Sequence, residues 1–134
     1  MADWFYAPTL APAEPVFTLP ESEARHLAVV LRAKPGHPLV VFNGAGRRAP
    51  AEVSTIGKRN VVVRLAGEVV LDPPTPPFTL GVALPKGDRA VWLVEKCVEL
   101  GVASIVPLQA ARSVAGAGDA KLDKLRRAAL EACK

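Results

Sequence analysis

The chain of 134 residues carries 17 Lys and Arg against 13 Asp and Glu, a net charge of +4, and half of it is hydrophobic. That length allows one domain or two small ones with a real core, and aromatics at 5% leave the core to Val, Leu, Ala and Ile. No uncharged run is long and apolar enough to span a bilayer, Met1-Ala2-Asp3-Trp4 lacks the basic-then-apolar order of a secretory signal, and Cys97 and Cys133 have no Cys or His at metal-ligand spacing.

Trp4-Phe5-Tyr6 and Val16-Phe17-Thr18-Leu19 read as short strands separated by Pro8, Pro12 and Pro15. A helix is expected from Glu21 to Arg32, with Ala24, Leu27, Ala28 and Leu31 as one apolar stripe. Pro20 suits its first position, Glu21 and Glu23 suit the positive end of its dipole, and Lys34-Pro35-Gly36 ends it. Strands are expected at Leu39 to Phe42, Ala51 to Ile56 and Val61 to Leu65. Asn43-Gly44-Ala45-Gly46 and Gly57-Lys58-Arg59-Asn60 supply the turns. The first half therefore reads as a small, mostly antiparallel β domain with one helix.

Charge is segregated along this half. From Arg25 through Arg64 there are eight Lys or Arg residues against a single acid, Glu52, and the flanks are acidic. Such a distribution suits a polyanion; an ordinary solvated surface is the competing reading.

Asp72-Pro73-Pro74-Thr75-Pro76-Pro77 marks a boundary, because four prolines in five residues support neither a helix nor a central strand. Nothing basic flanks it, so an interdomain linker is expected rather than a recognition motif. Phe78 to Leu84 then reads as a strand, Pro85 to Arg89 as a polar turn, Ala90 to Leu100 as a helix stopped by Gly101, and Val102 to Val106 as a second strand ending at Pro107. This is a parallel β-α-β unit, and its polar turn lies at the carboxyl end of a strand, where open α/β sheets place ligands. The helix is apolar on most sides and needs cover on more than one face, with Cys97 expected as a buried thiol. Asp119 to Lys134 reads as a last helix whose buried face includes Leu122, Leu125 and Ala129. It has no closing Gly, Asn or Pro, which leads us to expect the front part of a longer protein. Two strands and two helices leave the sheet with exposed edges, so further strands from elsewhere in the protein or from a partner chain are expected.

Several groups carry candidate chemistry. Lys86-Gly87-Asp88-Arg89 could receive a phosphate, with Gly87 allowing close approach and Asp88 capping the helix; a plain turn with solvated cations competes. Arg112-Ser113 follows the second strand on the carboxyl side, where an arginine can make paired hydrogen bonds to a base or phosphate. Gly116-Ala117-Gly118 lacks the spacing of a dinucleotide loop and reads as an ordinary loop. His26, just off the apolar stripe, is expected to be partly buried. Neither histidine has hydrolytic-triad companions, and no GxxxxGK[ST] loop is present.

Lys86-Gly87-Asp88-Arg89, then Glu95-Lys96-Cys97-Val98-Glu99-Leu100-Gly101-Val102 and Ile105-Val106-Pro107, together with His26-Leu27, Val30-Leu31-Arg32 and Phe42-Asn43-Gly44, follow one another in an order that resembles the 16S ribosomal RNA uridine-N3 methyltransferase family. Those enzymes belong to the knotted, S-adenosylmethionine-dependent SPOUT class. The resemblance implies a small PUA-like β-barrel domain over residues 1–71, a Pro-rich linker over 72–77, and the opening β-α-β portion of an α/β knotted methyltransferase domain over 78–134, truncated. It implies transfer of a methyl group from S-adenosylmethionine to N3 of a uridine in small-subunit ribosomal RNA, in the cytoplasm. N3 carries a proton in neutral uridine, so a base or charge-stabilising group must expose its lone pair, and positioning of the sulfonium methyl supplies the rest. The resemblance nominates Arg112 as the catalytic-loop arginine and Arg25, His26, Arg32, Arg47, Arg48, Lys86 and Arg89 as RNA contacts.

Two departures stand against this. The family's Arg-Trp pair in the last helix is Lys124-Leu125 here, and the glycine-rich knot loops that hold the cofactor have no counterpart. No cofactor-binding residue is therefore carried over, and the chain alone is expected neither to bind S-adenosylmethionine well nor to methylate RNA. Family members form homodimers through the catalytic domain. The alternatives are a non-enzymatic RNA-binding module and a protein-interaction domain that pairs through its open sheet edge.

Overall fold

The computed structural model describes residues 2–73, 77–112 and 118–134. The chain divides into two compact units, Met1–Pro73 and Pro74–Lys134. Within the proline-rich stretch, Pro74, Thr75 and Pro76 lie outside the described residues, as do Ser113, Gly116 and Ala117 of the later loop. Among the described residues no helix is long and apolar enough to cross a membrane.

Unit 1 contains strands β1 (Trp4–Tyr6), β2 (Val16–Thr18), β3 (Pro38–Phe42), β4 (Arg47–Ile56), β5 (Val61–Leu65) and β6 (Val70–Leu71). Their order is β1-β3-β4-β5-β2, with β6 also on β4. All pairs are antiparallel except β1 with β3. Period-two alternation turns one side chain in two inward. Phe5, Phe17, Leu39, Val41, Val53 and Val63 thereby converge, with Leu27 from the helical segment, into one core. The two ends of the path, β1 and β2, close around this core without pairing, as in a partly open barrel.

β4 is longer than expected, because it starts at Arg47 rather than Ala51. Pro50 is tolerated inside it because β5 and β6 share one side of β4 and the ladder breaks between them. Leu65 pairs with Ala51, the Ala66 amide donates to the Pro50 carbonyl at 2.9 Å, and pairing resumes at Val70 with Arg48. The amide that proline lacks would have faced that break. Near the other end of β4, the register slips between Val53 and Thr55, a bulge that increases local twist just before the β4–β5 turn.

The expected helix from Glu21 to Arg32 is cut short. α1 spans Glu21–Arg25 and continues as a π-helical turn over His26–Val30, closed by the Leu31 amide donating to the His26 carbonyl at 3.1 Å. Arg32 then takes a positive φ of 50°, which ends the helix one step before Lys34-Pro35-Gly36. Pro20 sits outside the first turn in extended geometry (ψ 148°), its carbonyl accepting from Ala24. Glu23 is buried instead of lying at a solvated helix start, and its carboxylate accepts from the Tyr6 amide at 3.2 Å, which ties β1 to α1.

Unit 2 contains β7 (Thr79–Val82), α2 (Asp88–Glu99), β8 (Ser104–Pro107) and α3 (Asp119–Ala132). β7 and β8 pair in parallel, from Thr79 with Ser104 to Val82 with Pro107. Leu84, Ala90, Val94 and Leu125 form its core where α2 meets α3, with Ile105 of β8 and Ala129 packed against it. Cys97 is buried. The apolar remainder of α2 is uncovered: Trp92 is 60% and Leu100 82% exposed.

Candidate nucleic-acid interface

Two groups of cations in unit 1 lie at the two ends of β4, Arg47 and Arg48 at its start and Lys58 and Arg59 just past its end, about 30 Å apart along a ten-residue strand. At one end, β2 and β5 run alongside so that α1, which follows β2, packs beside the β4–β5 turn. That turn is closed by the Gly57 amide donating to the Asn60 carbonyl at 2.8 Å. Between turn and helix lies a cleft of about 290 Å³. Ala24, Ala28, Val29 and Val61 give it apolar surface, and Arg25, Lys58 and Arg59 rim it with positive charge. Glu21 is the one acid of the lining, and its carboxylate stands 3.7 Å from Arg59 Nε. Among the described residues no carboxylate pairs with Arg25 or Lys58.

The structure brings Arg25 and His26 onto one helical segment, with Arg32 just past its end. Arg25 closes α1 and is exposed. His26 is exposed as well, contrary to the expected partial burial. Its ring meets Phe5 edge-on at 6.0 Å. Arg32, in its left-handed conformation, is exposed just beyond.

At the opposite end of β4, Asn43 organises the β3–β4 turn. Its Oδ1 accepts from the amides of Ala45 (2.8 Å) and Arg47 (3.0 Å), with Gly44 and Gly46 at positive φ. Arg47 and Arg48 belong to the strand rather than to the turn that precedes it. Arg47 is exposed. Arg48 is half-buried, and its Nε donates to Asp72 Oδ1 at 2.7 Å, so part of its charge is spent fixing the exit from unit 1.

In unit 2, Lys86 and Arg89 are exposed on either side of Gly87, whose φ of 59° starts α2. Asp88 does not cap this helix as expected. Gly87 holds the capping position with no side-chain bond, while Asp88 is the first helical residue and stands 3.6 Å from Lys124. Arg112 is exposed in the turn after β8, and Ser113 beside it lies outside the described residues.

The sequence pass did not single out Lys58, Arg59, Asn60 and Val29. Two adjacent cations in a four-residue turn were the available signal, and reading that turn only as hairpin chemistry obscured it. Among the described residues no group of three or more His, Cys, Asp or Glu could hold a metal. Cys97 is buried, and Cys133 is exposed with its thiol pushed up, away from thiolate, by partial burial.

Residues 72–134 match the family model described as an RNA methyltransferase domain, and residues 19–66 that described as an RNA methyltransferase PUA domain. Ribosomal RNA small subunit methyltransferase E of Mycobacterium bovis is 36% identical over 124 residues, 92% of this chain and 47% of that protein. Its namesake from Bacillus subtilis is 32% identical over 114 residues, 84% of this chain and 44% of that protein. Among solved structures, ribosomal RNA small subunit methyltransferase E of Neisseria gonorrhoeae bound to S-adenosyl methionine aligns with a TM-score of 0.86 at 28% identity. The alignment covers 99% of this chain and 56% of that one. The chain spans about half the length of the curated relatives it matches. The shared fold is a PUA-like β domain followed by the opening portion of a knotted α/β methyltransferase domain.

Proposed function

Because this chain belongs to the ribosomal RNA small subunit methyltransferase E family, we propose that its protein transfers a methyl group from S-adenosylmethionine to N3 of a uridine in small-subunit ribosomal RNA. The observation that carries this reading is the succession, on one chain, of a β domain with a cationic cleft and a parallel β-α-β unit, aligned over 99% of its length with a methyltransferase bound to that cofactor. Residues 1–71 dock on RNA, 72–77 link, and 78–134 open the catalytic domain. A purely non-enzymatic RNA module is not favoured, since residues 72–134 match a methyltransferase domain.

The roles of this chain's residues follow from their places. Arg25, His26, Arg32 and Arg47 offer exposed donors to phosphate from unit 1, and Arg48 adds the guanidinium nitrogens that Asp72 leaves open. Lys86 and Arg89 do the same beside the N-terminus of α2. Arg112, beyond the carboxyl end of β8, orients the target base or its phosphate. The cofactor supplies the methyl group. The cleft of unit 1 does not fit it, being rimmed by three cations when a sulfonium is itself positive, and the glycine-rich knot loops have no counterpart in the sequence. The isolated chain is therefore expected to show no micromolar affinity for S-adenosylmethionine in calorimetry, and such affinity would overturn that assignment.

The protein acts in the cytoplasm as a homodimer. Exposed Trp92, Leu100 and Phe78 support more protein packing on unit 2. Disruption of the gene, with small-subunit RNA digested and read by mass spectrometry, tests the activity. Loss of N3-methyluridine and its return on re-expression are expected. Persistence of the full mark would sink the proposal.

A further inference from the structure

We propose that the cleft between α1 with its π-helical turn and the β4–β5 turn holds a single RNA strand, one phosphate between Arg25 and Lys58 and the adjoining ribose or base on Val29. This rests on the reading of unit 1 as RNA-binding and adds where the strand runs and in what form it is held.

Four features meet at this place. The first is charge: Arg25, Lys58 and Arg59 face one acid. Glu21 and Arg59 are 3.7 Å apart with side chains 74% and 88% exposed, an ion pair that contributes little and yields readily to a phosphate. The second is the apolar surface inside the charged rim. Val29 and Val30 are 63% and 65% exposed, beside half-covered Ala28 and buried Val61. A site for a bare anion has no use for such a surface, whereas a nucleotide presents both a charge and an apolar face.

The third is backbone geometry. A π-helical turn followed by a non-glycine residue at positive φ is costly, and both features concentrate at functional sites. Here Val29 and Val30 lie off the buried stripe of that turn, and Arg32 stands just past its end. The fourth is size. About 290 Å³ lies at the lower limit of ligand pockets, room for one nucleotide unit rather than for the breadth of a duplex. Sequence-selective RNA recognition favours single strands, whose bases can splay into such recesses.

The test uses the whole chain and fluorescence anisotropy of a short fluorescein-labelled, uridine-rich single-stranded RNA over a range of KCl. Each charge-assisted contact to phosphate is strong enough that Arg25→Ala with Lys58→Ala should weaken binding at least about tenfold. Releasing the one phosphate they hold should also flatten the salt slope by roughly 0.7. Val29→Ser should weaken binding several-fold and leave the slope unchanged, and Glu21→Gln should tighten it. Arg126→Ala with Arg127→Ala, two exposed cations of α3, should change neither affinity nor slope. Circular dichroism of each variant checks its fold, and Arg25→Gln with Lys58→Gln replaces any that unfolds.

If the chain binds RNA and the Arg25/Lys58 variant keeps both affinity and slope, the cleft is wrong and RNA binding by unit 1 stands. If the unmodified chain binds no RNA at low salt, both readings fall. Tighter binding of the same sequence as a duplex would overturn the single-strand assignment.

Discussion

Replacing Gly67 by Ala probes the break between β5 and β6 on which the path of the chain out of unit 1 depends. Gly67 lies between Leu65 and Val70, opposite Pro50 of β4. A methyl carbon on its Cα would fall 2.7 Å from Pro50 Cγ and 3.5 Å from Cδ. Carbon atoms rest at about 3.5–4.0 Å, so one side must retreat by about 0.8 Å. Pro50 cannot, because it is paired with Val40 of β3 and its carbonyl accepts from Ala66. The exposed segment bearing Gly67 must move instead, pulling on β6. Overpacking costs about 1–3 kcal/mol, and exposure of both residues puts this instance near the lower part, about 1–2 kcal/mol. Pro50→Ala removes the offending Cγ and Cδ and leaves a Cβ contact of 4.0 Å. The cost of Gly67→Ala should then vanish in that background, a coupling of about 1–2 kcal/mol. Urea unfolding followed by Trp4 emission reads unit 1, since that ring lies 5.9 Å from Phe42 while Trp92 is 60% exposed. A Gly67→Ala chain as stable as the parent, or a loss undiminished in Pro50→Ala, refutes the steric reasoning.

Leu27→Ala, at a side chain with no exposure in the core of unit 1, should cost about 2–5 kcal/mol in the same Trp4 transition. Arg32→Gly relieves the positive φ and should raise the unfolding free energy from urea titration by up to about 1 kcal/mol while weakening RNA binding; Arg32→Ala should weaken RNA binding equally with no gain in stability. Hydrogen exchange should find the amides of β4 and β5 protected far longer than those of β7, which belongs to a two-stranded sheet, and equal protection would contradict the packing described.

Where local pattern decides structure, the sequence was legible. Val61 to Leu65 alternates between core and outside and forms β5 over that span. The β-α-β order of unit 2 also follows its apolar runs and glycine stop. Most misses share one cause, contacts remote in sequence. Arg47 to Pro50 carries two cations and a proline, yet forms strand because β6 pairs with it from more than twenty residues away and the proline falls at the break. The stripe from Ala24 to Leu31 fits an α-helix and is buried as that pattern expects, and nothing in that pattern marks the π-helical turn over His26–Val30. Arg48 looked available to RNA because Asp72, its partner, is 24 residues on. The cleft was hardest to see, since Arg25 and Lys58 become neighbours only when β2 and β5 pair.

The two units place their cations on unequal footing. Fourteen buried side chains stand behind those of unit 1, including residues from five of its strands. Arg25 leaves a helical segment anchored by Leu27, and Lys58 leaves a hairpin anchored by Val61 and Val63, so their backbones are fixed before RNA arrives. Preorganisation of this kind lowers the ordering cost of binding. Among the described residues of unit 2 five side chains are buried (Leu84, Ala90, Val94, Cys97 and Leu125), and Trp92, Leu100 and Phe78 face solvent. Lys86 and Arg89 flank a glycine at positive φ on that less supported scaffold. Equal numbers of cations would therefore yield unequal affinity, and the RNA binding proposed for this chain should depend chiefly on unit 1, even though the methyltransferase match lies in unit 2.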